Sequence, residues 1–111
     1  MFIRSAYFVG KPFPGKEAEF RQLLQGALKL YMGFKNIRGA QFLEAREVEE
    51  GAPGIYATLQ LRFDSESDLQ AALATPFRQE MRSYFLNSVF PLFDGTAKHI
   101  NHHVEEQVTG A

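Results

Sequence analysis

Hydrophobic and polar positions change period several times along this chain, and each change marks an element. Phe2 to Val9 is dense in Phe, Ile, Tyr and Val, an extended run that Gly10 stops and that Lys11-Pro12-Phe13-Pro14-Gly15 follows as a rigid loop. From Lys16 to Met32 the period becomes helical: Phe20, Leu23, Leu24, Ala27, Leu28 and Tyr31 fall at i, i+3, i+4, i+7, i+8 and i+11. Glu17 and Glu19 lie in the first turn, where the macrodipole favours negative charge, and Gly33 is the expected stop.

Ile37 to Val48 returns to extended character, with Gly39 marking a bulge or a close backbone approach, and Glu49 to Gly54 reads as a hairpin loop. Ile55 to Phe63 alternates most clearly, with Ile55, Ala57, Leu59, Leu61 and Phe63 on one face and Tyr56, Thr58, Gln60 and Arg62 on the other. Ser65-Glu66-Ser67-Asp68 resembles a capping box and starts a short helix carrying Leu69, Ala72 and Leu73. Thr75-Pro76 restarts helix, with Phe77, Met81, Tyr84, Phe85 and Ser88 on one face, and Pro91 ends it near Val89 or Phe90. Asp94-Gly95 turns the chain into a last strand, Thr96 to Val104, and Glu105 to Ala111 is expected to be a frayed tail.

The resulting order, βαββαβ within a single domain of residues 1–104, is the ferredoxin-like α+β plan: a four-stranded antiparallel sheet with the helices on one face. Those helices are expected over Ile55, Ala57, Leu59, Leu61 and Phe63. An unpaired Arg under them would be costly, which assigns Arg4 to the open face together with Phe2 and Phe8, joined by Phe42 or Leu43. Large apolar groups on an open sheet face predict a homodimer packed sheet to sheet about a two-fold axis.

Composition narrows the classes. Apolar residues make up 45% and aromatics 14%, including eleven phenylalanines, which excludes a disordered chain. A net charge of −1 with interspersed signs offers no basic field for nucleic acid. The absence of cysteine removes disulfides, thiolate zinc sites and cysteine nucleophiles. The first fifteen residues, MFIRSAYFVGKPFPG, are too mixed for a signal peptide or a membrane span, so no membrane association and a cytoplasmic location are expected.

The strand ending Tyr7-Phe8-Val9-Gly10, the Pro14-Gly15 approach to a helix with Phe20, the strand IYATLQLRF, and Pro91-Leu92-Phe93-Asp94-Gly95 followed by His99-Ile100-Asn101-His102 form an ordered set. In these features the chain resembles the EthD-like family, named for ethyl tert-butyl ether degradation, among the dimeric α+β barrel proteins. The resemblance implies a homodimer whose two sheets enclose a barrel with a small-molecule pocket in each subunit, and a link to oxidative degradation of small organic compounds. No cofactor is expected. Without tryptophan the chain lacks the Asn-Trp-His set of the haem-degrading barrel proteins.

Candidate chemistry centres on the last strand, where all three histidines fall. With Ile100 and Val104 toward the helices, His99, Asn101 and His103 would face the pocket and His102 would not. His99 and His103 would be roughly 13 Å apart, too far to share a metal, and no metal site is expected. His99 reads either as a general base beside Arg4 or as a hydrogen-bonded histidine of the barrel wall. Arg4 could bind a carboxylate or phenolate, or pair across the subunits with an acid such as Glu44. Tyr56 is the third candidate catalytic residue, as a donor to an oxyanion; Gln60, Asn101, Thr58 and Phe8 are the expected substrate-binding set. Two functions follow: a cofactor-independent oxygenase, isomerase or cyclase acting on a small organic compound, or a non-catalytic binding or accessory protein of a degradation pathway.

Overall fold

The computed structural model of the protein describes residues 1–110. Its elements are β1 (Phe2–Pro12), α1 (Glu17–Tyr31), β2 (Gly39–Glu44), β3 (Ile55–Phe63), α2 (Glu66–Leu73), α3 (Phe77–Tyr84) and β4 (Phe93–His103). A π-helical turn, Phe85–Val89, and a 3₁₀ turn, Phe90–Leu92, join α3 to β4. The strands form one antiparallel sheet in the order β2-β3-β1-β4, the ferredoxin-like arrangement expected from the sequence. No helix among the described residues is long and apolar enough to cross a membrane.

The apolar stripe of α1 does what its spacing predicts. Phe20, Leu24, Ala27 and Tyr31 are buried against the sheet. Ser65 caps α2, its hydroxyl accepting from the Asp68 amide at 3.1 Å. Tyr84 ties α3 to α1 by donating to the Leu23 carbonyl at 2.6 Å. Gly33 keeps φ negative; its lack of a side chain makes room for the Phe77 ring, whose Cζ would lie 2.7 Å from an added Cβ.

The faces of β1 and β4 are the reverse of those expected. Antiparallel partners share a face, and β1 sets Phe2 opposite Phe63, Arg4 opposite Leu61, Ala6 opposite Leu59 and Phe8 opposite Ala57. Phe2, Arg4, Ala6 and Phe8 therefore lie beneath the helices, where Phe8 is 1% exposed. β4 follows the same register, with His99 opposite Ala6 and Asn101 opposite Arg4 on the covered side, while Ile100 lies opposite Ser5 on the open face. Tyr56 also turns inward. The β1–β3 register shifts between Phe8 and Val9, so that Tyr56 is the extra residue of a bulge and packs edge-on against Phe20 and Phe93.

Two glycines read as punctuation stand inside strands. Gly10 does not stop β1, and Asp94-Gly95 is not a turn; Gly10 and Gly95 face each other across the β1–β4 ladder. An added Cβ on Gly10, which has φ +129°, would strike the Asp94 carbonyl, and one on Gly95 would strike the Val9 carbonyl.

Candidate functional site: a cationic cavity under the helices

Small side chains in the middle of a covered sheet leave space above them. Ala6 on β1 and Ala97 on β4 are such a pair, and a cavity of about 360 Å³ lies between them and the α1, α3 and π-helical segments. This is at the small end of ligand pockets, which run from about 300 to 1,000 Å³. Its walls are chiefly apolar: Phe8, Leu59 and Leu61 from the sheet, Phe34 after α1, Met81 from α3 and Phe85 from the π-helical turn. The π turn inserts an extra residue into the helical spiral, a distortion often found at functional sites, and it brings both Phe85 and Leu86 to the cavity.

The polar groups of the lining are cationic or titratable: Arg4, Arg78, Arg82, His99 and the Tyr31 phenol. No aspartate or glutamate lines it. Arg4 donates from Nη1 to Asn101 Oδ1 at 3.1 Å, a neutral partner on the neighbouring strand. Burial, and then the charge of Arg78, lower the Arg4 pKa; a guanidinium nonetheless stays charged at any working pH. Burial raises the Tyr31 hydroxyl, with Arg4 opposing, so the phenol is a neutral hydrogen-bond donor.

His99 is the most perturbed of these groups in the accessible pH range. Partial burial of this otherwise exposed residue at the cavity wall, followed by Arg4 and then Arg78, holds its pKa down to about 4. The imidazole is thus neutral in the folded protein well below the pH at which an unfolded chain would protonate it, about 6.5. The sign follows: as pH falls below about 6.5 the unfolded state takes up a proton that folded His99 refuses, and this site destabilises the fold progressively towards pH 4. We expect the His99 imidazole resonances to titrate in NMR spectra with a midpoint near pH 4; a midpoint above 6 would contradict the environment described.

Arg4, Phe8 and His99 from the expected set line the cavity, and Asn101 holds Arg4 beside it. Tyr56 lies in the core among Phe20 and Phe93 and does not reach the cavity. Gln60 and Thr58 are on the opposite face of the sheet, where Gln41 donates to Gln60 Oε1 at 2.6 Å and Gln60 donates to Ser5 Oγ at 3.1 Å. The cavity described here lies within one chain, on the helix-covered side of the sheet. Glu44 pairs with Arg21 at 2.6 Å and Arg46 at 3.2 Å, not with Arg4. His102 is on the open face, away from His99 and His103. Among the described residues no group of three His, Cys, Asp or Glu side chains could hold a metal. Sequence reasoning missed Tyr31, Arg78 and Arg82. Tyr31 read as core because it completes the α1 stripe, and the arginines carried no pattern beyond their i, i+4 spacing.

No protein-family model matches the sequence, and no curated protein matches it either. Solved structures share the fold. An ethyl tert-butyl ether degradation family protein from Bacillus halodurans is 14% identical, with 93% of this chain and 98% of that one covered and a TM-score of 0.69. A variant of SnoaB, a cofactor-independent oxygenase from Streptomyces nogalater, is 12% identical over 98% of this chain and 97% of that one, with a TM-score of 0.68. A dimeric ferredoxin-like protein from Thermobifida fusca is 12% identical over 94% and 92% of the two chains, with a TM-score of 0.64. At these identities the likeness is one of fold, and in fold the resemblance to the EthD-like proteins holds.

Proposed function

We propose that this chain is a homodimeric enzyme that transforms a small organic compound in the cavity without a cofactor, as an oxygenase or an isomerase. The observation that carries the reading is the juxtaposition of His99 and Arg4, on adjacent strands, at the wall of one apolar cavity. The cofactor-independent oxygenase of similar fold supports the reaction class by analogy.

In this reading the neutral His99 imidazole takes a proton from an acidified C–H or O–H of the substrate. Arg4, held by Asn101, stabilises the enolate or phenolate that forms, and the Tyr31 phenol donates to the same oxygen. An isomerase returns the proton to another atom. An oxygenase passes the anion's electrons to dioxygen, so that a CH2 group becomes C=O and the second oxygen atom leaves as water. A pKa near 4 makes His99 a weak base, so the substrate proton must be made acidic by Arg4 before it moves.

The test is turnover of a panel of phenols and 1,3-dicarbonyl compounds, followed by oxygen uptake and product spectra. With a substrate in hand, His99→Ala is expected to lower kcat by about 10²–10⁴-fold. Unchanged turnover in that variant would remove His99 from the mechanism. Compounds that bind but emerge unaltered from long incubation would instead establish the binding-protein alternative.

A further inference from the structure

Arginines elsewhere in this chain find partners. Arg21 and Arg46 pair with Glu44, Arg38 pairs with Asp64 at 2.7 Å, and Arg62 donates to the Arg38 carbonyl. The three that line the cavity, Arg4, Arg78 and Arg82, form no ion pair among the described residues. Arg78 and Arg82 are also i, i+4 neighbours on α3, an arrangement in which like charges repel. Three guanidiniums thus converge on an apolar cavity whose lining holds no carboxylate to neutralise them.

We propose that the ligand of this cavity is an organic anion, a planar aromatic carboxylate of about the size of naphthoate. Its apolar body rests over Ala6 and Ala97, and its carboxylate is held by Arg78 and Arg82. The inference rests on the reading of this cavity as the ligand site. Guanidinium suits the task because its planar fork matches a carboxylate in bidentate geometry, which an ammonium does not. Arg78 and Arg82 stand at the exposed edge of the cavity, so the pairing is open to screening by salt. Neither arginine needs the ligand in order to fold, since both are exposed on α3. They are positioned to act on what enters.

Calorimetric titration of naphthoate and its neutral isostere naphthamide, into the wild-type protein and the Arg78→Gln/Arg82→Gln double variant, tests the idea. We expect naphthoate to bind the wild type at least tenfold more tightly than naphthamide, and raised salt to weaken naphthoate alone. The double variant should lose that preference while binding naphthamide as before, with an unchanged circular dichroism spectrum. Equal wild-type affinity for the two compounds would overturn the anion inference and leave the cavity as a ligand site. Binding of neither compound would overturn both. A preference for naphthoate that persists in the double variant would overturn the assignment to Arg78 and Arg82.

Discussion

Phe8→Ala is expected to destabilise the protein by about 3–5 kcal/mol, the usual cost of emptying a buried phenylalanine site. Phe8 is 1% exposed and its ring is a hub. It meets Phe20 and Phe93 edge-on, each at 5.8 Å between centroids, and lies 6.2 Å from Phe85 and 6.3 Å from Phe90. Aromatic pairs of this geometry contribute beyond simple burial of area. Against a total stability of about 5–15 kcal/mol for a domain, the loss is large enough to bring the variant close to its unfolding threshold at ordinary temperature. Urea unfolding should show a lower midpoint with an unchanged slope. The neighbouring Val9, on the open face and 37% exposed in the single protomer, is the comparison, with a smaller loss to alanine of about 1 kcal/mol. The comparison also decides between the two possible phases of β1, because a Phe8 on the open face would behave as Val9 does.

That phase is the point at which the sequence was hardest to read. Both phases of β1 are apolar enough to be buried: Phe2, Ala6 and Phe8 in one, Ile3, Tyr7 and Val9 in the other. Arg4 distinguishes the two, and the cost of an unpaired buried charge favours placing it on the open face. That cost applies where the helix-covered face is closed. Here α3 and its π turn leave a cavity over the sheet, so the Arg4 guanidinium reaches both Asn101 and open space. The phase of β1 fixes that of β4, because the ladder joins them residue by residue from Phe2 and His103 to Pro12 and Phe93. Arg4 and His99 consequently remained together, as expected, but on the other side of the sheet.

Elements whose signal is local were legible. The α1 stripe, the Ser65 cap and the alternation of β3 from Ala57 to Phe63 each involve one stretch of chain and one rule. What depends on two stretches was not. The inward turn of Tyr56 comes from a bulge set by its pairing with β1, and a strict period of two cannot express it. Gly10 and Gly95 look like turn residues in isolation; only their juxtaposition shows why neither can carry a side chain. The cavity is the extreme case, assembled from β1, β3, β4, α1 and α3, with its position set by two alanines that carry no sequence signal of their own.

The open face makes the second large prediction. With Phe2 and Phe8 beneath the helices, its apolar groups are Ile3, Tyr7, Val9, Leu43, Ile100 and, because of the bulge at Tyr56, Ile55 opposite Val9, with Leu43 42% and Ile100 48% exposed. Between them Gln60 links Gln41 to Ser5, and Arg62, opposite Ile3, donates to the Arg38 carbonyl, so part of the polar content of the face is already paired. Strands of this length, at about 3.4 Å per residue and about 4.8 Å apart, give a face of roughly 30 by 19 Å. Two such faces together bury about 1,100 Å², at the lower end of what a specific interface requires. We expect light scattering at micromolar concentration to return twice the chain mass of 12.6 kDa. Ile100→Asp should return the single-chain mass, because it would bury an unpaired carboxylate in each copy, at a cost of about 3–5 kcal/mol per buried charge left without a partner. In the free protomer the same side chain stands in water, so the variant should keep its circular dichroism spectrum. A wild-type protein that scatters as one chain would remove the dimer. The cavity would be untouched by that result, since every residue lining it belongs to one protomer and lies on the far side of the sheet from the interface.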